Sequence, residues 1–173
     1  MSDRSMRPSG LVSFTERLAG SAVFATLFRE GMDLVEETAA YLDGQGREDA
    51  KTLDRAGSLA YATESMRLTT RLMQLASWLL LHRAVKEGEM TLAQANSEKS
   101  KVKLGAPDPG PQETLAKLPA ELRDLVLRSV SLQSRVKRLD ANIHAPKPVA
   151  DAGKSNAVVS QLDLLKAAFE RTH

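Results

Sequence analysis

Three histidines and a scatter of carboxylates are the residues to weigh first for acid–base or metal chemistry in this chain of 173 residues, which has no cysteine. His82, His144 and His173 fall in different segments. None has a second histidine or a carboxylate at metal-site spacing in a suggestive context. His82 sits near the end of a candidate helix, where an imidazolium complements the helix dipole. Asp33, Glu36, Glu37 and Asp43 lie close in sequence. Asp33 and Glu37 share a helix face, yet the Glu-x-x-His repeats of a carboxylate di-metal bundle are missing, so a solvated acidic face is expected. Gly44-Gln45-Gly46 follows a helix rather than a strand, which reads as a helix stop and not as a dinucleotide turn. Without cysteine, disulfides, thiolate metal sites and cysteine catalysis are excluded. The expectation is a non-enzyme with no catalytic, cofactor or metal residues.

Composition narrows the scaffold. Apolar residues make up 42% of the chain but aromatics only 4%, so the core must be built from Leu, Val, Ala and Met, which favours helices over a sheet. Met1 to Gly10 is polar and lacks the apolar segment of a secretory leader. The apolar run Trp78 to Leu81 is far too short for a membrane span. A cytoplasmic protein is the expectation, and the small net charge of +2 gives no bias toward nucleic acid. One local exception is Arg128, Arg135 and Arg138 beside Lys137 on the third helix, diluted by Asp124 and Asp140. A DNA-binding helical regulator using that face is the alternative reading.

The elements are organised around a long proline-free stretch from about Glu48 to Glu87. On a helical wheel, Leu59, Ala62, Met66, Met73, Ala76 and Leu80 form one stripe, and Leu68, Leu72, Leu75 and Leu79 form its neighbour. Together they span about 200°, wider than a helix with one neighbour requires, so a central helix packed on two others is expected. Glu64, Arg67, Arg71 and Gln74 take the remaining face. Trp78 and Leu81 fall outside the arc, Trp78 near Arg67 and Arg71. Aromatics beside arginines suit a partner or intersubunit surface; equally, a third helix of the same subunit covers Trp78. Arg67, Arg71, Trp78 and Leu81 are therefore the candidate partner-binding residues of the scaffold.

Before this stretch, Phe24, Phe28, Val35, Ala39 and Leu42 make a helical stripe that ends at Asp43-Gly44. After it, Gly88 weakens the helix, Thr91-Leu92-Ala93-Gln94 offers a cap, and residues 96–103 read as frayed or loop. Three prolines between 107 and 111 break the chain. From Pro119, the residues Leu118, Leu122, Leu125, Ser129, Leu132, Val136, Leu139 and Ile143 alternate spacings of four and three, a coiled-coil-like seam. The predicted fold is all-α: an antiparallel three-helix bundle over 21–144, with flexible N-terminal (1–20) and C-terminal (145–173) tails. In the C-terminal tail, Val158, Leu162, Leu165 and Phe169 recur at helical spacing and Leu164 adds apolar surface. A short amphipathic segment on a tether is suited to docking in a partner's groove; folding back on the bundle, or no defined role, are the other readings.

Several strings resemble a known family. VEETAAYLDGQGR (35–47) and LAYATESMRLTTR (59–71) look like the alphaproteobacterial RcdA family, regulators of CtrA degradation, and VKEGEMT (85–91) is similar to the segment that follows there. The resemblance extends over roughly residues 20–143. It implies a homodimeric three-helix bundle with a disordered C-terminal tail, acting as an adaptor for the ClpXP protease. In that scheme the response regulator CpdR primes the protease. The adaptor tethers substrates directly, or through the cyclic-di-GMP-binding protein PopA for CtrA, and sits transiently at the cell pole in cell-cycle control. Tethering raises the local concentration of cargo without new chemistry; an adaptor needs surfaces and a tether, not a nucleophile.

Overall fold

The computed structural model describes residues 22–99, 101, 105 and 107–145; the expected N-terminal tail and residues 146–173 of the C-terminal tail lie outside them. The described residues are helical, with no strand among them. Helix α1 spans Ala22–Asp43, α2 Gln45–Lys51, α3 Arg55–Lys86, α4 Leu92–Lys99, α5 Gln112–Leu115 and α6 Ala120–His144. Three of these are long, and α1, α3 and α6 each pack against the other two.

Local chemistry sets the boundaries. At the end of α1, the Gly44 amide donates to the Ala40 carbonyl at 3.0 Å. The Asp54 side chain accepts from the Gly57 amide at 2.7 Å and caps α3. The expected central stretch is therefore divided: residues 48–51 belong to α2, and α3 begins only at Arg55. Helix α3 stops before Gly88, whose φ of 76° suits glycine alone. Thr91 and Gln94 form the expected capping box: the Thr91 amide donates to Gln94 Oε1 at 2.9 Å, and the Gln94 amide to Thr91 Oγ1 at 3.1 Å. Helix α4 continues to Lys99, so residues 96–99, expected to be frayed, are helical.

Cross-helix pairs fix the directions. Gly46 of α2 abuts the Tyr61 hydroxyl near the start of α3, while Phe24 at the start of α1 faces Trp78 with ring centroids 6.3 Å apart. Helices α1 and α3 are thus antiparallel. Arg128 pairs with Glu37 and Arg135 with Glu30, so α6 also opposes α1. Arg71 meets Ser129, and Trp78 meets Asp140, so α6 runs parallel to α3. The simple up-down-up order, in which the first and third helices are the parallel pair, does not hold. The connection after α3 runs back along it before α6 starts: Pro107 lies beside Arg71 and Gly110 beside Glu64.

The core draws on all three long helices. The α6 seam is buried as expected from Leu118 to Ile143. The buried stripe of α1 is Phe24, Leu27, Gly31, Leu34, Thr38 and Tyr41, rotated slightly from the expected one. Gly31 permits close approach of α1 and α3, since a Cβ there would stand 2.5 Å from Leu79 Cδ1. On α3 the buried face is Ala60, Glu64, Leu68, Arg71, Leu72, Leu75, Trp78, Leu79 and His82. Only one of its two expected apolar stripes faces the core.

Candidate protein-binding surfaces

The four scaffold residues singled out in the sequence do not form one surface. Arg71 is fully buried. Its Nη1 donates to Ser129 Oγ at 2.9 Å and its Nη2 to the Pro107 carbonyl at 3.0 Å. Burial pushes the guanidinium below its ordinary pKa, and the charges of Glu64 and Asp108 pull it back; an arginine stays protonated regardless. Glu64, also fully buried, accepts from the Gly110 amide at 3.0 Å and from Arg67 Nη1 at 2.7 Å. Arg67 is half-buried at the edge of this cluster. The polar face offered for partner binding is thus a clamp that holds the returning connection by its backbone.

Trp78 is covered within its own subunit, the second of its two readings. Its indole donates to Asp140 Oδ1 at 2.8 Å, and its ring stacks on His82 with centroids 3.8 Å apart. Arg71 and Trp78 are therefore corrected from partner-binding residues to scaffold residues, because α6 and the returning connection bury them. The His82 imidazole is held below its usual pKa by burial, against the Trp78 carbonyl bond and Asp140, both of which favour its cation. His82 is consequently neutral near pH 7 and does not serve the expected role of a cation at a helix end. Asp140 also takes Lys99, which fastens α4 to α6. Burial raises its carboxyl pKa, but the hydrogen bonds from Lys99 and Trp78 and the Lys99 charge prevail and leave it below the usual carboxylate value. Leu81 remains partly accessible. It lines a shallow cleft of about 350 Å³ with Ser77, Leu80, Ala84, Glu98 and Lys101.

The most apolar open surface is the other stripe of α3. Leu59 is 70% exposed, Met66 72%, Met73 67% and Leu80 52%. These residues repeat every seven positions, with Ala62, Thr69 and Ala76 between them. Such a line is the seam of a helix that meets another helix, and nothing in the described part of the chain covers it. The sequence signal was present in the wheel, but the stripe was assigned to the core because its neighbour is equally apolar.

The basic side of α6 is largely committed. Arg128 makes two bonds to Glu37, at 2.8 and 2.7 Å. The hydrogen bond from Arg128 lowers the Glu37 pKa despite partial burial. Arg135 pairs with Glu30. Two of the three arginines of the DNA-binding alternative therefore serve the α1–α6 contact, and no observation favours that reading. Among the described residues, no group of three or more His, Asp or Glu side chains could hold a metal ion. None of the described helices is long and apolar enough to cross a membrane. The tail candidates Val158, Leu162, Leu164, Leu165 and Phe169 lie outside the described residues.

Comparisons with known proteins follow this geometry. A model for a protein family of unknown function, DUF1465, matches residues 15–169. A crystal structure of RcdA from Caulobacter crescentus CB15 is similar at 48% sequence identity and a TM-score of 0.63, over 76% of this chain and 99% of that one. No curated protein matches.

Proposed function

We infer, for a chain that belongs to the RcdA family, that it is a non-enzymatic adaptor in regulated proteolysis. The observation that carries this reading is the heptad stripe Leu59, Met66, Met73 and Leu80, an open apolar seam on a well-packed helix. An adaptor needs surfaces and a tether, and an exposed apolar line of this length marks a protein-binding site. The fold proposed is a three-helix bundle that pairs into a homodimer. Small residues at Ala62, Thr69 and Ala76 let a second α3 approach closely, and each large side chain buried there contributes about 1.5–3 kcal/mol. Arg67 and Leu81, at the edges of α3, are proposed to contact cargo or protease components. The tail residues Val158, Leu162, Leu164, Leu165 and Phe169 are proposed to engage other components of the complex. In the fuller form of the reading, the chain tethers substrates to CpdR-primed ClpXP, directly or through PopA for CtrA. It does so in the cytoplasm, transiently at the cell pole.

The experiment is a reconstituted degradation reaction containing ClpXP, unphosphorylated CpdR and candidate substrates, with PopA and cyclic-di-GMP added for CtrA. The full chain should speed degradation, and a chain ending at His144 should do so less. If neither form accelerates the loss of any substrate, the adaptor reading fails.

A further inference from the structure

An apolar groove of about 560 Å³ lies between the first turns of α1 and the last turns of α6. Leu27 and Leu139 form its floor. Val23 stands on its rim 57% exposed. Arg138 and Asn142 edge the opposite side. Unlike Arg128 and Arg135, Arg138 makes no ion pair among the described residues.

The groove's position puts it within reach of the C-terminal residues. Because α1 and α6 are antiparallel, it lies at the end of the molecule where α6 finishes, two residues beyond Asn142. From there 29 residues follow, 145–173. Residues 145–156 reach roughly 40 Å when extended, ample to turn back by two helical turns. They lead to Val158, Leu162, Leu165 and Phe169, which share one face when helical, while Asp163, Lys166 and Glu170 lie on one flank of that face. That apolar face is the complement of the groove's floor.

We propose that the C-terminal segment 157–170 docks in the α1–α6 groove of its own chain, with its apolar face on Leu27, Leu139 and Val23. The tether supplies a local concentration in the millimolar range, so weak intrinsic affinity suffices for occupancy. The docked segment is withheld from partners, and a partner that captures it must displace it. This regulatory consequence rests on the adaptor reading; the docking does not.

The absence of cysteine permits a clean test in the full chain. A nitroxide is attached at Ala168→Cys and amide signals are recorded by NMR. Selective signal loss is expected at residues 22–27 and 135–142. Val23→Asp, on an exposed position that leaves the fold intact, should abolish it. The loss should be missing when isotope-labelled chains carry no nitroxide and are mixed with nitroxide-bearing unlabelled chains. No loss, loss confined to other surfaces, or loss that appears only between chains overturns the proposal. A nitroxide at Ser13→Cys that reaches the groove amides while the one at Ala168→Cys does not would also overturn it, by giving the groove to the N-terminal residues. No protease is present, so this result and the degradation assay fail or succeed separately.

Discussion

Replacing Arg71 with methionine isolates the clamp. The substitution keeps a long side chain in the core but removes the donors to Ser129 Oγ and the Pro107 carbonyl. A hydrogen bond from a charged group is worth about 1.5–3 kcal/mol. Losing two of them sets a range of roughly 3–6 kcal/mol. Two effects favour the low end: Ser129 keeps its bond to the Val126 carbonyl at 2.7 Å, and removing a buried charge relieves its desolvation. The expected loss is about 3 kcal/mol in urea unfolding, or roughly 6–12 °C in melting temperature for a domain of this size. Arg128→Met, which removes a half-exposed pair with Glu37, is the control and should cost about 1 kcal/mol or less. Hydrogen exchange adds a local readout: the Gly110 amide, bonded to the neighbouring Glu64, should lose protection ahead of the α3 core. A loss below about 1 kcal/mol with Gly110 still protected would refute the claim that Arg71 fastens the connection.

Three further outcomes follow from the packing. Met73→Glu should convert a dimer to a monomer in light scattering, with the helical signal unchanged, because Met73 is mid-seam and exposed within the chain. His82 has a folded pKa below its unfolded value, so its contribution is present above pH ~6.5 and is lost as pH falls through the folded pKa; urea titrations of wild type and His82→Phe should diverge below pH ~6.5 in that sense. Gly31→Val should destabilise by about 1–3 kcal/mol through overpacking against Leu79, checked by thermal unfolding.

The sequence was most legible where apolar and polar residues separate cleanly. Helix α6 has one seam, and every seam residue from Leu118 to Ile143 is buried. The capping box at Thr91 and the stop at Gly44 were readable because their partners are local. Helix α3 was legible as an element but not in orientation. It is apolar on two sides, so periodicity cannot say which side meets α1 and α6. The deciding partners of Glu64 and Arg71 are backbone groups at Gly110 and Pro107, 46 and 36 residues away. A carboxylate or guanidinium that binds distant backbone has no local signature, so the sequence places both on the outer polar face and offers Arg71 as a partner-binding residue. The direction of α6 was hidden for the same reason: a proline-rich break shows where a helix ends, not which way the chain then travels.

The backward crossing also constrains the order of assembly. Helices α1 and α3 meet through a short link and can pair as soon as both exist. Helix α6 closes contacts over separations of 58 residues to Arg71 and 105 to Glu30, and each such closure carries a loop-entropy cost before any contact rewards it. The α1–α3 hairpin should therefore wait, with its inner face bare, for α6 to arrive. A growing chain leaving the ribosome would present that bare hairpin first, then the crossing gripped by Glu64 and Arg71 over 46 and 36 residues, and α6 would be the last joint to shut.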